Sequence, residues 1–150
     1  MQSNSAAAAL VDIPALREHA AGIHGALVNL AEKSFAAVDS VTHELIRVRL
    51  AQLSGNAAEA ARRTPGITMA GEKLSALPQW PTSPHFSAAE RACLEFAEQY
   101  YIDVAGMTDA FVARLLRHYD SPAIFALVHA IYTIDGAHRT RALLDGLLKD

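Results

Sequence analysis

The chain has 150 residues, of which 51% are hydrophobic and 19% are charged, and its formal net charge is −3. This length and composition predict one globular domain with a substantial core and exclude a disordered or collagen-like protein. The small negative charge argues against a large nucleic-acid-binding surface. Thirty residues are alanine, and because alanine is the best helix former this abundance disfavours an all-β fold.

Residues 1–12 are predicted to be a flexible N-terminal tail, because small and polar residues precede an alanine tract that lacks a second apolar row. Residues 13–150 are predicted to be the helical domain. Apolar residues recur at helical spacing from Pro14 to about Ala37. A second helix is expected after Asp39 or Ser40.

That second helix is interrupted at Ser54-Gly55-Asn56, and a short helix over 57–63 ends before Thr64-Pro65-Gly66. Another short helix is expected over 71–77, followed by a proline-rich irregular segment. The pattern Ser87-x-x-Glu90 is typical of a capping box and begins a further helix.

Two more helices are expected, one from Thr108 or Met107 and one capped by Asp120-Ser121-Pro122. No stretch alternates strictly between apolar and polar residues for long enough to form a strand. The sequence therefore predicts an all-α protein.

The single cysteine, Cys93, allows no intramolecular disulfide and no cysteine-rich metal site. It lies on the apolar stripe of its helix, which indicates a small buried hydrophobic residue. The seven histidines show no metal-binding spacing, so we expect no metal and no cofactor.

No apolar run reaches the roughly 18 residues that span a bilayer, and the N-terminal stretch is a poor signal peptide. We expect a cytoplasmic protein without membrane or nucleic-acid partners.

Two stretches, Glu44–Gly55 and Phe86–Glu98, together with Leu77 and Trp80 before the second, carry a resemblance. Their order and spacing are similar to those of the carboxymuconolactone decarboxylase family, including its alkylhydroperoxidase D-like branch. The resemblance covers roughly residues 15–145. It implies a helical alkylhydroperoxidase D-like fold that assembles into homo-trimers or hexamers. It also implies a relationship to antioxidant peroxidases, which are oxidoreductases, or to decarboxylases.

In the peroxidase branch, the loop after the glutamate helix carries Cys-x-x-Cys-x-x-x-His. Here Glu44 matches the family's relay glutamate, but the two cysteine positions hold Asn56 and Glu59 and the histidine position holds Arg63. Asparagine and glutamate cannot form a thiolate, a sulfenic acid or a disulfide, and arginine does not release its proton near neutral pH. The chain is therefore expected to lack thiol peroxidase activity, and whether it is an enzyme stays open.

Two functions remain. The first is a divergent family protein that keeps a different reaction using Glu44 and Arg63, or one that binds a small molecule in the same pocket. Glu44, Glu59 and Arg63 are the candidate catalytic or pocket residues. We expect the two carboxylates to approach each other across the Ser54-Gly55 bend, with Arg63 as the cation that holds both. The second is a non-catalytic, oligomeric helical interaction module. A helical transcription regulator ranks last, because no uninterrupted basic recognition helix is present.

A purely structural role for the same residues is also open. Asn56-x-x-Glu59 fits a capping box, Glu59 and Arg63 have the i,i+4 spacing of a helical ion pair, and Arg47 or Arg49 can pair with Glu44. A weaker catalytic candidate is His138, three residues after Asp135, which could orient its imidazole.

Overall fold

In a computed structural model of the protein, the backbone is described for residues 2–147 and the side chains for residues 6–144. The described residues form nine α-helices and three short 3-10 turns, with no strand. The prediction of an all-α protein is confirmed. The helices are α1 (Gln2–Val11), α2 (Pro14–His19), α3 (Ala21–Ser34), α4 (Ser40–Leu53), α5 (Ala57–Ala61), α6 (Gly71–Ala76), α7 (Ala88–Ile102), α8 (Asp109–Leu115) and α9 (Ser121–Leu147).

Helix α4 lies at the centre of the bundle and packs against α1, α5, α7 and α9. Nine of its fourteen residues are buried, including the polar or charged Thr42, His43, Glu44 and Arg47. Asp39 caps its N-terminus, because the Asp39 carboxylate accepts a hydrogen bond of 2.9 Å from the Thr42 amide. A helix that is buried on all sides and carries charged residues must satisfy those charges inside the protein.

Most of the segment predicted to be a flexible tail, residues 1–12, forms helix α1. Met1 lies outside the described residues. Ala6, Ala7, Leu10 and Val11 are at most 8% exposed and make up the apolar row of this helix. Two members of the row are alanines, and their small side chains allow α1 to lie close to α3 and α4. Because alanine is only weakly hydrophobic, the row is not recognisable in the sequence as a hydrophobic stripe.

The single helix predicted from Pro14 to Ala37 is broken at Ala20, where the backbone has φ −147° and ψ 58°. The carboxylate of Asp12 lies beside the break and accepts hydrogen bonds from Arg17 at 3.0 Å and His24 at 3.2 Å. These contacts link α2 to α3. The last predicted turn, Phe35–Ala37, is a 3-10 turn.

The second half of the chain follows the predicted order of helices. Ser87 and Glu90 form the full capping box at the start of α7, and Asp120 caps α9 by accepting from the Ala123 amide at 2.9 Å. Within the described residues, no helix has the length and apolar character needed to cross a bilayer.

Candidate functional site

Arg47 on α4 is the centre of a buried charge cluster. Its side chain is 0% exposed, and its five N–H donors find five acceptors. Nε and Nη2 donate to the two carboxylate oxygens of Glu44 at 2.8 and 2.7 Å. Nη1 donates to the backbone carbonyl and to Oε1 of Glu59 at 2.8 and 2.9 Å. Nη2 also donates to the carbonyl of Arg62.

Glu44 has no acceptor capacity left. Besides the two bonds from Arg47, the Thr64 amide donates to its Oε1 at 3.1 Å and the Thr64 hydroxyl donates to its Oε2 at 2.7 Å. Burial alone would raise the pKa of Glu44, but the hydrogen bond and charge of Arg47, together with Thr64, outweigh burial and lower it. A carboxylate that is ionised and fully hydrogen-bonded is a poor proton relay.

Glu59 on α5 is held by three guanidinium groups. Oε1 accepts from Arg47, from Arg62 Nη2 at 2.9 Å and from Arg141 Nη2 at 2.8 Å, while Oε2 accepts from Arg62 Nε at 3.2 Å. Burial works to raise the pKa of Glu59, but the hydrogen bonds from Arg62 and the charges of Arg141, Arg62 and Arg47 lower it to about 2. Glu59 is therefore a permanent anion near neutral pH.

The bend after α4 brings these groups together. Gly55 has φ 71°, a left-handed conformation that glycine adopts without strain. Asn56 then caps α5, because its side-chain oxygen accepts from the Glu59 amide at 3.0 Å. After α5 the chain returns over α4, which places Thr64 on Glu44. Glu44 and Glu59 thus share one cation across the Ser54-Gly55 bend.

That cation is Arg47 and not Arg63. Arg63 lies beyond the end of α5, is exposed, and donates through Nη1 to the carbonyls of Ala60 and Arg62 at 2.7 and 2.8 Å. Because the helix ends at Ala61, the i,i+4 geometry expected for Glu59 and Arg63 does not form. Arg62, three residues after Glu59, makes the ion pair instead.

Only half of the expected capping box is present at α5. Asn56 accepts from the Glu59 amide, but the Glu59 side chain points to the arginines and does not return to the Asn56 backbone. Within the cluster, two carboxylates meet three guanidinium groups, which leaves one excess positive charge. Arg141 was not foreseen, since it is 82 residues from Glu59.

Cys93 on α7 is 0% exposed, as its place on the apolar stripe indicated. Its sulfur lies 3.6 Å from the hydroxyl oxygen of Tyr119. Burial raises the pKa of the Cys93 thiol to about 11, against a smaller opposing effect of that hydrogen bond. The thiol is therefore protonated and inaccessible near neutral pH, which makes it unreactive.

His138 on α9 does not pair with Asp135. Asp135 instead accepts from Arg139 Nε at 2.9 and 3.0 Å. His138 Nε2 lies 2.9 Å from the hydroxyl of Ser54, across 84 residues of sequence. Burial is the main reason that the pKa of His138 is lowered, so the imidazole is neutral near pH 7.

His43, next to Glu44 on α4, is 0% exposed and points away from the cluster. Its ring stacks on Phe35 with a centroid separation of 4.5 Å. Neither ring nitrogen has a hydrogen-bond partner of ordinary geometry among the described residues. Burial lowers the pKa of His43 to about 4, although the carbonyls of Phe35 and Val38 and the charge of Asp39 act weakly in the opposite direction.

No group of three or more His, Cys, Asp or Glu side chains in the described part of the chain is arranged to hold a metal ion. The arrangement at Arg47 is that of an internal ion-pair network, in which donors and acceptors satisfy one another. It offers no bare nucleophile and no group poised to exchange a proton.

The chain is 31% identical over 107 residues to the uncharacterized protein YnjA of Escherichia coli strain K12. The match covers 67% of this chain and 57% of YnjA, so the chain spans a little over half the length of that relative. No family model matches the chain.

Proposed function

We propose that the protein is a carboxymuconolactone decarboxylase-like protein of the alkylhydroperoxidase D-like type that runs no thiol peroxidase cycle and binds a small molecule instead. The observation that carries the absence of a thiol cycle is the state of Glu59. In the place of the second thiol stands a carboxylate fixed by Arg47, Arg62 and Arg141. The resemblance of the two sequence stretches and the all-helical structure support the family and its fold.

The chemistry of the cluster supports the loss of both family reactions. Thiol redox chemistry needs two cysteines that can approach each other, and the single cysteine is buried on α7. Acid–base chemistry needs a group that exchanges a proton near the working pH. Glu44 is saturated with hydrogen bonds, Glu59 has a pKa of about 2, and Arg63 remains protonated.

We expect no peroxide reduction above the background of the reductant when the protein is given tert-butyl hydroperoxide and a dithiol donor. The physical reason is that a buried thiol with a pKa of about 11 supplies almost no thiolate at pH 7 to 8. Consumption of peroxide measures the activity, and Cys93→Ser is the matched control. Turnover that disappears in Cys93→Ser would place the reactive site at α7 and contradict the proposal.

The homo-oligomer implied by the family resemblance has its own support on α9. Phe125 and Tyr132 are 69% and 60% exposed. They are seven residues apart, so they lie within about 20° of each other on the same helix face. Large apolar residues that share an exposed face are typical of a contact surface. The same feature supports the second candidate function, a non-catalytic oligomeric helical interaction module.

We expect the wild-type protein to scatter light as a trimer or hexamer at micromolar concentration, and Phe125→Glu to shift it towards smaller species. A charge in the middle of an apolar contact must be desolvated without a partner, which weakens association. Ile23→Glu is the matched control, because Ile23 is 65% exposed but lies on α3. A monomeric mass for the wild-type protein would refute the oligomer, and equal effects of the two substitutions would refute this surface.

A further inference from the structure

A cavity of about 390 Å³ lies between the bend after α4 and the C-terminal half of α9. Its volume falls in the range of roughly 300–1,000 Å³ that is typical of small-molecule sites. It is adjacent to the charge cluster but separate from it, since none of the five cluster residues lines it. The lining residues that matter here are Ser54, Asn56, Tyr101, His138, Arg139 and Leu143.

One side of the cavity presents hydrogen-bond donors. The side-chain oxygen of Asn56 is occupied by the α5 cap, so its NH2 group, which makes no hydrogen bond within the described residues, is the end left for another molecule. The Ser54 hydroxyl lies 2.9 Å from the carbonyl of Ala51 and 2.9 Å from His138 Nε2. When Nε2 carries the proton and donates to Ser54, the Ser54 proton can turn from Ala51 to an incoming acceptor.

Arg139 adds free guanidinium donors at the rim. The Arg139 Nε donates hydrogen bonds to Asp135, and the Arg139 guanidinium lies 5.2 Å from the centroid of the Tyr101 ring. These two contacts hold the guanidinium in place. The two Nη groups make no hydrogen bond within the described residues. Asp135 balances the charge of Arg139 itself, and Glu59 is paired with arginines of the cluster. The excess positive charge of the neighbouring cluster therefore acts on the cavity.

His138 forms part of the cavity wall and is held there by its contact with Ser54. It is 4% exposed, and its Nδ1 is buried with no hydrogen-bond partner among the described residues. This nitrogen is not accessible to a water-sized molecule, so it does not contact an occupant of the cavity, and the donors of Ser54, Asn56 and Arg139 carry the binding. The rest of the lining includes the apolar side chain of Leu143 and the ring of Tyr101.

From these features we infer that the cavity binds a small organic carboxylate with an apolar body. The carboxylate accepts from Ser54, Asn56 and Arg139, and the apolar body packs on Tyr101 and Leu143. The inference rests on the proposed small-molecule function and adds the chemical class of the ligand. Asn56, at the first cysteine position of the family motif, takes part in the site as a hydrogen-bond donor, and binding needs no reaction.

The experiment uses the full chain in its native assembly and three probes that share a naphthalene ring: 2-naphthoate, the neutral and nearly isosteric 2-naphthamide, and unsubstituted naphthalene. Amide chemical shifts in a ¹⁵N-labelled sample report both affinity and location. We expect 2-naphthoate to bind at least tenfold more tightly than 2-naphthamide and to shift the amides of Ser54, Gly55 and Asn56. One charge-assisted hydrogen bond is sufficient for a difference of this size.

Two variants test the assigned residues. Arg139→Met keeps the apolar stem of the side chain but removes its charge, and we expect at least a tenfold loss of 2-naphthoate affinity with little change for 2-naphthamide. Arg114→Met is the matched control, because Arg114 also pairs with a carboxylate, Glu95, and lies 4.8 Å from an aromatic ring centroid, that of Phe111. Asn56→Asp keeps the helix cap but replaces the donors with a carboxylate, and should weaken 2-naphthoate binding as strongly.

Equal binding of 2-naphthoate and 2-naphthamide at these amides would overturn the preference for carboxylates while leaving a small-molecule site. Absence of saturable binding by every probe, or shifts confined to another part of the protein, would overturn the site itself. Equal 2-naphthoate affinity of Arg139→Met and Arg114→Met would overturn the role of Arg139. None of these results bears on the peroxide assay, so the failure of this inference is distinguishable from a surviving thiol peroxidase activity.

Discussion

Arg47→Met is expected to lower the free energy of unfolding by about 3–5 kcal/mol, the range for removing one partner of a buried ion pair. The Glu44 carboxylate is only 2% exposed, and the substitution removes the only cation that pairs with it. The substitution also removes one of the three cations around Glu59. Burial then favours protonation of Glu44, which adds to the loss. Denaturant unfolding at fixed protomer concentration measures the effect.

Arg63→Met is the matched control for this prediction. Arg63 is exposed and bonded only to nearby carbonyls, so we expect a loss well below ~1 kcal/mol. If Arg47→Met does not fold, Arg47→Lys keeps the test open. Lysine keeps the charge but has three donors in place of five, so its loss should fall between those of the other two variants. Equal stability of Arg47→Met and Arg63→Met would show that the cluster does not stabilise the fold.

His43 is expected to make the protein less stable as the pH falls from about 6.5 to about 4. The pKa of His43 is about 4 in the folded protein because burial disfavours the charged ring, whereas an unfolded chain has the ordinary value near 6.5. Between these values the unfolded state binds more protons, so the free energy of unfolding decreases with falling pH. Over the whole window the loss is about 3 kcal/mol.

His43→Phe should remove this pH dependence and keep the stacking on Phe35, and the more flexible His43→Met serves if the larger ring does not fit. His85→Phe, at an exposed loop position, should leave the profile unchanged. Glu59 affects the free energy of unfolding at lower pH than His43 does, because the pKa of Glu59, about 2, lies below the ordinary value of 4.5. Its contribution to stability is complete above about pH 4.5 and is lost from there towards pH 2. An unchanged slope between pH 6.5 and 4 in His43→Phe would contradict a buried neutral imidazole.

Sequence patterns correctly predicted the features that depend on interactions between residues close together in the chain. The Ser87 capping box, the Asp39 cap and the approach of Glu44 to Glu59 all depend on residues that are close in sequence. The spacing of Glu44 and Arg47 also allowed their pairing. What the pattern could not show was that α4 is buried on every side, because its composition of alternating charged and apolar residues resembles that of a surface helix.

Long-range contacts were the ones missed. Arg141 reaches Glu59 and His138 reaches Ser54 only because α9 folds back over the bend after α4. The family resemblance implies a site role for Arg63, but the end of α5 at Ala61 directs its side chain to the surface. The helix at residues 2–11 was missed because its buried row contains small alanines, which carry little hydrophobic signal.

The measurement that tests the account most directly is a carboxyl ¹³C NMR titration of Glu44 and Glu59 in the folded protein. Both carboxylates are held as permanent anions by Arg47 and its neighbours, so we predict no protonation of either group between pH 7 and pH 4.5. We predict further that Glu59 approaches its midpoint only near pH 2, as far as the fold persists. A midpoint above pH 5 for either carboxyl group would mean a raised pKa, as a proton relay requires. This result would contradict the conclusion that the cluster has a structural role.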